Sequence, residues 1–122
     1  MADLKILLVD DEEELVTTLV ERLGYRGFAA DYALDGHEAL VKMRSGQYHV
    51  VVLDLKLPGM EGTEVLRQLV AKYPKVPVLL ITGHGSAIDQ TEPMPEGAFD
   101  YLVKPVKLDL LIERVLEATG RK

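Results

Sequence analysis

Short apolar runs alternate with longer amphipathic segments along the whole chain, and few folds accommodate that rhythm. The runs cover residues 5–9, 28–32, 50–53, 78–81 and 101–103. Each has strand length. The third is wholly apolar and β-branched in its first three residues, as strands buried on both faces tend to be. Between the runs, apolar residues recur at helical spacing. Leu15, Val16, Leu19, Val20 and Leu23 trace a first helix, which Gly24 is expected to end. Asp35 and Glu38 form a capping-box-like start to a second, carrying Ala39, Leu40 and Met43 and stopped at Gly46. Val65, Leu66, Leu69 and Val70 mark a third, closed off by Pro74. Leu108, Leu111, Ile112, Val115 and Leu116 trace the last.

A strand followed by a helical segment, repeated five times, specifies a parallel sheet with helices on both faces. Right-handed crossovers leave few topologies, and the flavodoxin-like α/β order 2-1-3-4-5 is the common one at this size. The expectation is one (βα)5 domain spanning residues 1–122. One segment breaks the rhythm. A helix belongs at residues 87–97, yet Pro93 and Pro95 occupy its second half. Proline inside a helix removes a hydrogen bond and clashes, at ~3 kcal/mol or more. A short turn or irregular chain is expected there instead.

Composition narrows the function. With 122 residues, 48% apolar and 28% charged, the chain can bury a core of its own. The absence of cysteine excludes disulfides, thiolate metal sites and cysteine nucleophiles. No apolar stretch approaches the ~20 residues that span a bilayer, and no signal-peptide pattern occurs, so a cytoplasmic domain without membrane contact is expected. A net charge of −6 argues against nucleic-acid binding by this domain, because phosphate backbones need basic patches. His37, His49 and His84 lack metal-ligand spacing, and the first two read as surface or loop residues. Residues 10–14 are five consecutive acids that repel one another, and something must make that tolerable.

In sheets of this order the functional crevice lies beyond the carboxyl ends of the strands, where strand order reverses. Here that is between the first and third strands. Asp10 and Asp11 follow the first, Asp54 ends the third, Thr82 the fourth and Lys104 the fifth. Taken singly, each has a structural explanation: an N-cap, a turn residue, a solvated lysine. Together they bring reactive polar groups from four strands to one edge. Clustered carboxylates call for a counter-charge, and a hard, all-oxygen site that keeps several waters suits Mg²⁺. A carboxylate can attack phosphorus to give an aspartyl phosphate, provided charge on the transferring oxygens is offset. Mg²⁺, the Lys104 ammonium and the Thr82 hydroxyl could supply that offset.

These residues, with Leu57-Pro58-Gly59-Met60 after Asp54, Thr82-Gly83, and the run from Gly97 to Pro105, resemble the receiver domains of two-component response regulators over essentially the full chain. The resemblance implies Asp54 as phosphoacceptor. It implies Mg²⁺ bound by Asp11 and Asp54, by Asp10 through water and by the Lys56 backbone carbonyl. Thr82 would bind the phosphoryl group and Tyr101 would turn inward as the switch aromatic, while the Lys104–Pro105 bond would be cis. Lys56 and His84, two residues beyond Asp54 and Thr82, would tune the lifetime of the acyl phosphate. The implied donor is a sensor histidine kinase or a phosphotransfer protein, and the implied output is an effector domain or protein.

Three rivals are weaker. A nucleotide or flavin binder needs a Gly- or Ser/Thr-rich loop after the first strand, where this chain has carboxylates. An Asp-nucleophile phosphohydrolase commonly has a second Asp two residues on, where Lys56 stands. A degenerate receiver acting only as a docking module has no need of Asp11, Asp54, Thr82 and Lys104 together.

Overall fold

The computed structural model describes residues 4–83 and 95–121. Strands β1 (Lys5–Val9), β2 (Ala29–Ala33), β3 (Val50–Asp54), β4 (Val78–Thr82) and β5 (Asp100–Val103) form one sheet in the order β2-β1-β3-β4-β5. Every pairing is parallel. The helices among the described residues are α1 (Glu13–Tyr25), α2 (Gly36–Ser45), α3 (Gly62–Lys72) and α4 (Leu108–Thr119). Period-two alternation divides the apolar side chains between two cores. Ile6, Leu8, Val50, Val52, Leu79, Ile81 and Leu102 pack with Val16, Leu19 and Leu23 of α1 and Leu111, Ile112 and Val115 of α4. Leu7, Val9, Val51, Leu53 and Leu80 pack with Ala39, Leu40 and Met43 of α2 and Val65, Leu66 and Leu69 of α3. Helices therefore cover both faces, and β3, central and paired on both sides, is buried at all five positions.

Two boundaries differ from the sequence expectation for one reason. Helix α1 continues through Gly24 to Tyr25, and the left-handed turn falls at Gly27, whose φ is 92°. The Gly27 N–H donates to Gly24 O and the Phe28 N–H to Leu23 O, both at 3.0 Å, the paired bonds of a Schellman C-cap. Phe28 thus belongs to the helix end, and the ladder of β2 starts one residue later, where the Ala29 N–H donates to Leu4 O at 3.1 Å. The start of α2 follows its signature with one shift: Asp35 Oδ1 accepts from the Glu38 N–H at 2.7 Å, while Glu38 Oε1 reaches one residue past the cap and accepts from the Leu34 N–H at 2.8 Å. Of the proline-interrupted segment, residues 87–94 lie outside the described residues. Its described end is a turn, with the Ala98 N–H donating to Pro95 O at 3.3 Å. His37 is exposed, as expected. His49 is half-buried and does structural work: its Nδ1 accepts the Lys5 N–H at 2.9 Å, joining the starts of β1 and β3.

The loop after β3 is closed by a backbone contact that only glycine permits. The Gly62 N–H donates to Leu55 O at 3.0 Å. A Cβ on Gly62 would stand 2.4 Å from both Cα and O of Leu55, closer than real contacts allow. Because the obstruction is backbone, side-chain rotation does not relieve it. Gly62→Ala is expected to lower unfolding stability by about 2–3 kcal/mol in urea titration, at the upper part of the overpacking range. A loss under about 0.5 kcal/mol would mean that the loop yields freely.

Candidate functional site

The sheet register brings the candidate residues to one edge. Asp54 ends β3 opposite Ile81, and Thr82 ends β4 opposite Val103, so Lys104 follows directly beyond it. The Lys104 N–H donates to Thr82 O at 2.8 Å, which ties these two positions together. Asp10 leaves β1 next to β3, and its N–H donates to Ala33 O at 3.1 Å. Three of these side chains are buried: Asp10 is 0% exposed, Asp54 4% and Thr82 2%. Asp11 faces solvent.

Lysine 104 is the hub. Its Nζ lies 3.0 Å from Asp10 Oδ2 and 3.3 Å from Asp54 Oδ2, and it also meets Glu12 Oε1. The opposite oxygens are held by backbone. Asp10 Oδ1 accepts the Glu12 N–H at 2.9 Å, and Asp54 Oδ1 accepts the Lys56 N–H at 3.0 Å. The Asp10 Oδ2 contact is an ion pair without hydrogen-bond alignment, which leaves that buried oxygen without a hydrogen bond.

Burial pushes the Asp10 carboxyl up to about 6 from an ordinary 3.8, and the nearby Asp54 carboxylate adds to the rise. The Glu12 N–H and the Lys104 ammonium oppose it without cancelling it. Burial acts to lower the Lys104 pKa, but Glu12, Asp10 and Asp54 outweigh it and hold the ammonium above its ordinary value. A raised carboxyl pKa means that the folded state favours the protonated acid. Its contribution to stability is full below pH 3.8 and is lost as pH rises through about 6. Asp10→Asn removes that charge and keeps an oxygen for the Glu12 N–H. In metal-free protein the variant should gain on wild type as pH climbs through this window, reaching about 2–3 kcal/mol at neutral pH. Urea unfolding across pH in a chelator checks this, and a difference flat with pH would remove the buried charge as the cause.

Asp10, Asp11 and Asp54 can each offer an oxygen such that the three atoms lie within 4.8 Å of one another. The donor set is all carboxylate, and one of its buried oxygens lacks a hydrogen bond. Those residues fit a hard divalent cation.

Residues 6–116 match the family model described as the response regulator receiver domain. The chain belongs to this family. It is therefore a receiver domain of two-component signalling. Among curated relatives it is 37% identical over 122 residues to the transcriptional regulatory protein TcrA of Mycobacterium tuberculosis, covering 100% of this chain and 48% of that protein. It is 37% identical over 112 residues to the two-component response regulator PhoP of Pseudomonas aeruginosa, covering 92% and 50%. The receiver thus spans about half the length of these relatives. Among solved structures, the receiver domain of the Francisella response regulator 1452 superposes with a TM-score of 0.85 at 29% identity, covering 98% of each chain. The response regulator TrrA of Thermotoga maritima, solved in complex with Mg(2+)-BeF, superposes at 0.81 with 34% identity, covering 94% of this chain and 98% of that one.

Within the receiver, the residues singled out from sequence separate into two groups. Asp10, Asp54 and Lys104 meet in the crevice, with Asp11 at its rim and Thr82 buried at the adjoining end of β4. Tyr101 lies apart on β5, opposite Leu80, with its side chain exposed. Lys56 is exposed beside Asp54, and the Lys104–Pro105 bond is cis. His84 lies outside the described residues. Sequence reasoning passed over Glu12 as a residue of the site. Its signal was the unexplained acid run, in which Glu12 is the third member and meets the lysine.

Proposed function

We propose that this receiver accepts one phosphoryl group on Asp54, in a reaction assisted by Mg²⁺. The observation that carries the reading is the setting of Asp54: a buried strand-end carboxylate with Lys104 Nζ 3.3 Å from one oxygen and the Lys56 N–H 3.0 Å from the other. An oxygen of Asp54 attacks phosphorus as the bond from phosphorus to the donor breaks; an acyl phosphate releases its carboxylate, and a phosphohistidine, protonated on its ring, releases neutral imidazole. The Lys104 ammonium offsets charge on the transferring oxygens, and the Thr82 hydroxyl donates to one of them. Asp11 and Asp54, Asp10 through water and the Lys56 carbonyl would hold Mg²⁺, which would supply further positive charge. TrrA, a similar structure, was solved in complex with Mg(2+)-BeF, which supports a Mg²⁺ site here by likeness.

The consequence is a population shift. Phosphorylation favours an arrangement in which Thr82 moves to the phosphoryl group and Tyr101 turns inward. The domain assists its own phosphorylation and dephosphorylation without turning over a substrate. Its donor is a histidine-kinase phosphohistidine, a phosphotransfer protein or a small acyl phosphate. Its output passes to an effector domain or protein, consistent with a relative about twice its length that is named as a transcriptional regulatory protein. We place it in the cytoplasm; among the described residues no helix is long and apolar enough to cross a membrane.

Incubation with acetyl phosphate, followed by intact mass, tests the reading. One phosphoryl group per chain is expected with Mg²⁺, and none in a chelator. If no adduct forms and Mg²⁺ with beryllofluoride also fails to bind, the domain is a docking module instead.

A further inference from the structure

Glu12 stands at the N-cap of α1, yet its side chain caps nothing. That position favours Ser, Thr, Asp and Asn, whose short side chains reach the free N–H groups of the first turn. The Glu12 carboxylate instead reaches Lys104 Nζ, 92 residues away in sequence. Among the described residues Lys104 therefore faces three carboxylates, and they are not equivalent. Asp10 and Asp54 belong to the cluster able to hold a cation, whereas Glu12 does not. A cation on the cluster weakens the pull of Asp10 and Asp54 on the ammonium. The pull of Glu12 persists.

We infer that Glu12 is a positioning residue that restrains Lys104 away from the incoming phosphoryl group, and so regulates how fast Asp54 is phosphorylated. This rests on the phosphoacceptor reading above. The ammonium has three N–H donors, and the one that Glu12 holds is not available to the transferring oxygens. The strength of that pair therefore sets the fraction of time that donor can serve them. The Glu12 side chain is 59% exposed, which keeps the pair weak and rapidly exchanging. The restraint is a brake, not a lock.

Initial rates of phosphoryl incorporation from acetyl phosphate at fixed Mg²⁺ test this. They would be measured for wild type, Glu12→Gln and Glu13→Gln, and for Lys104→Ala alone and with each of those changes, followed over hours by intact mass. Glu13→Gln makes the same charge change one residue on. Glu12→Gln is expected to accelerate phosphorylation roughly twofold to fivefold, the range of an exposed ion pair. With Lys104 removed it should act no more strongly than Glu13→Gln, as a double-mutant cycle requires of a direct interaction. Unchanged or slower incorporation overturns the restraint. So does an acceleration that survives the loss of Lys104, which reports only weaker repulsion of an anionic donor. A wild type that takes up no phosphoryl group overturns the functional reading and the restraint with it; a wild type that does, at the same rate as Glu12→Gln, overturns the restraint alone.

Discussion

Asp54→Asn is expected to take up no phosphoryl group under conditions that label the wild type completely. The amide is nearly isosteric with the carboxylate and retains an oxygen for the Lys56 N–H, which donates to Oδ1 at 3.0 Å. The variant should therefore fold. What it lacks is the anionic oxygen proposed to attack phosphorus, and a neutral amide is a poor substitute at neutral pH. The loss should be total, because neither neighbour shares that setting: Asp10 has no exposed surface and burial raises its carboxyl pKa, while Asp11 faces solvent. Intact mass and peptide mapping check the outcome. An adduct that persists on Asp10 or Asp11 would sink the assignment of Asp54, although the family assignment would stand.

Lys104→Ala should slow phosphoryl incorporation by about 10²–10³, the effect of removing one preorganised donor of transition-state stabilisation. It should also destabilise the metal-free protein. Asp10 and Asp54 are buried, and Lys104 Nζ lies 3.0 and 3.3 Å from their Oδ2 atoms. Deleting the cation from such a group leaves uncompensated charge, with a penalty of about 3 kcal/mol. The two effects separate on adding Mg²⁺. The cation can replace the missing charge on the carboxylates, so unfolding stability should recover. The rate should not, since the ammonium is needed on the transferring oxygens. If Mg²⁺ restored both, Lys104 would be a structural counter-ion and no participant in transfer.

The architecture was legible because its signals are local. The unbroken apolar run at residues 50–53 belongs to a strand buried at every position, and strand-end position alone placed Asp10, Asp54, Thr82 and Lys104 on one edge. Boundaries were less legible where two residues compete for one role. Gly24 and Gly27 both qualify as a helix stop, and the choice falls to the one whose backbone turns left-handed, which periodicity does not reveal. The ion-pairing at Lys104 was hidden for a different reason. The acids at residues 10–14 look alike in sequence, but the fold buries Asp10, exposes Asp11 and turns Glu12 toward a strand end 92 residues on. Long-range pairing of that kind has no local signature. The close approach of Gly62 to Leu55 is likewise invisible until the chain after β3 is folded back on itself.

Strand order also grades how readily each part of the site opens. β3 lies at the centre of the sheet with all five residues buried, so its amides exchange with solvent chiefly when the whole domain unfolds. β5 is an outer strand with one buried residue in four, and edges of that kind open by local fluctuation. Asp54 is carried by the first and Lys104 follows the second. Asp54 is thus anchored in the layer expected to exchange most slowly, while the lysine paired with it rides on a softer margin that can shift without disturbing it.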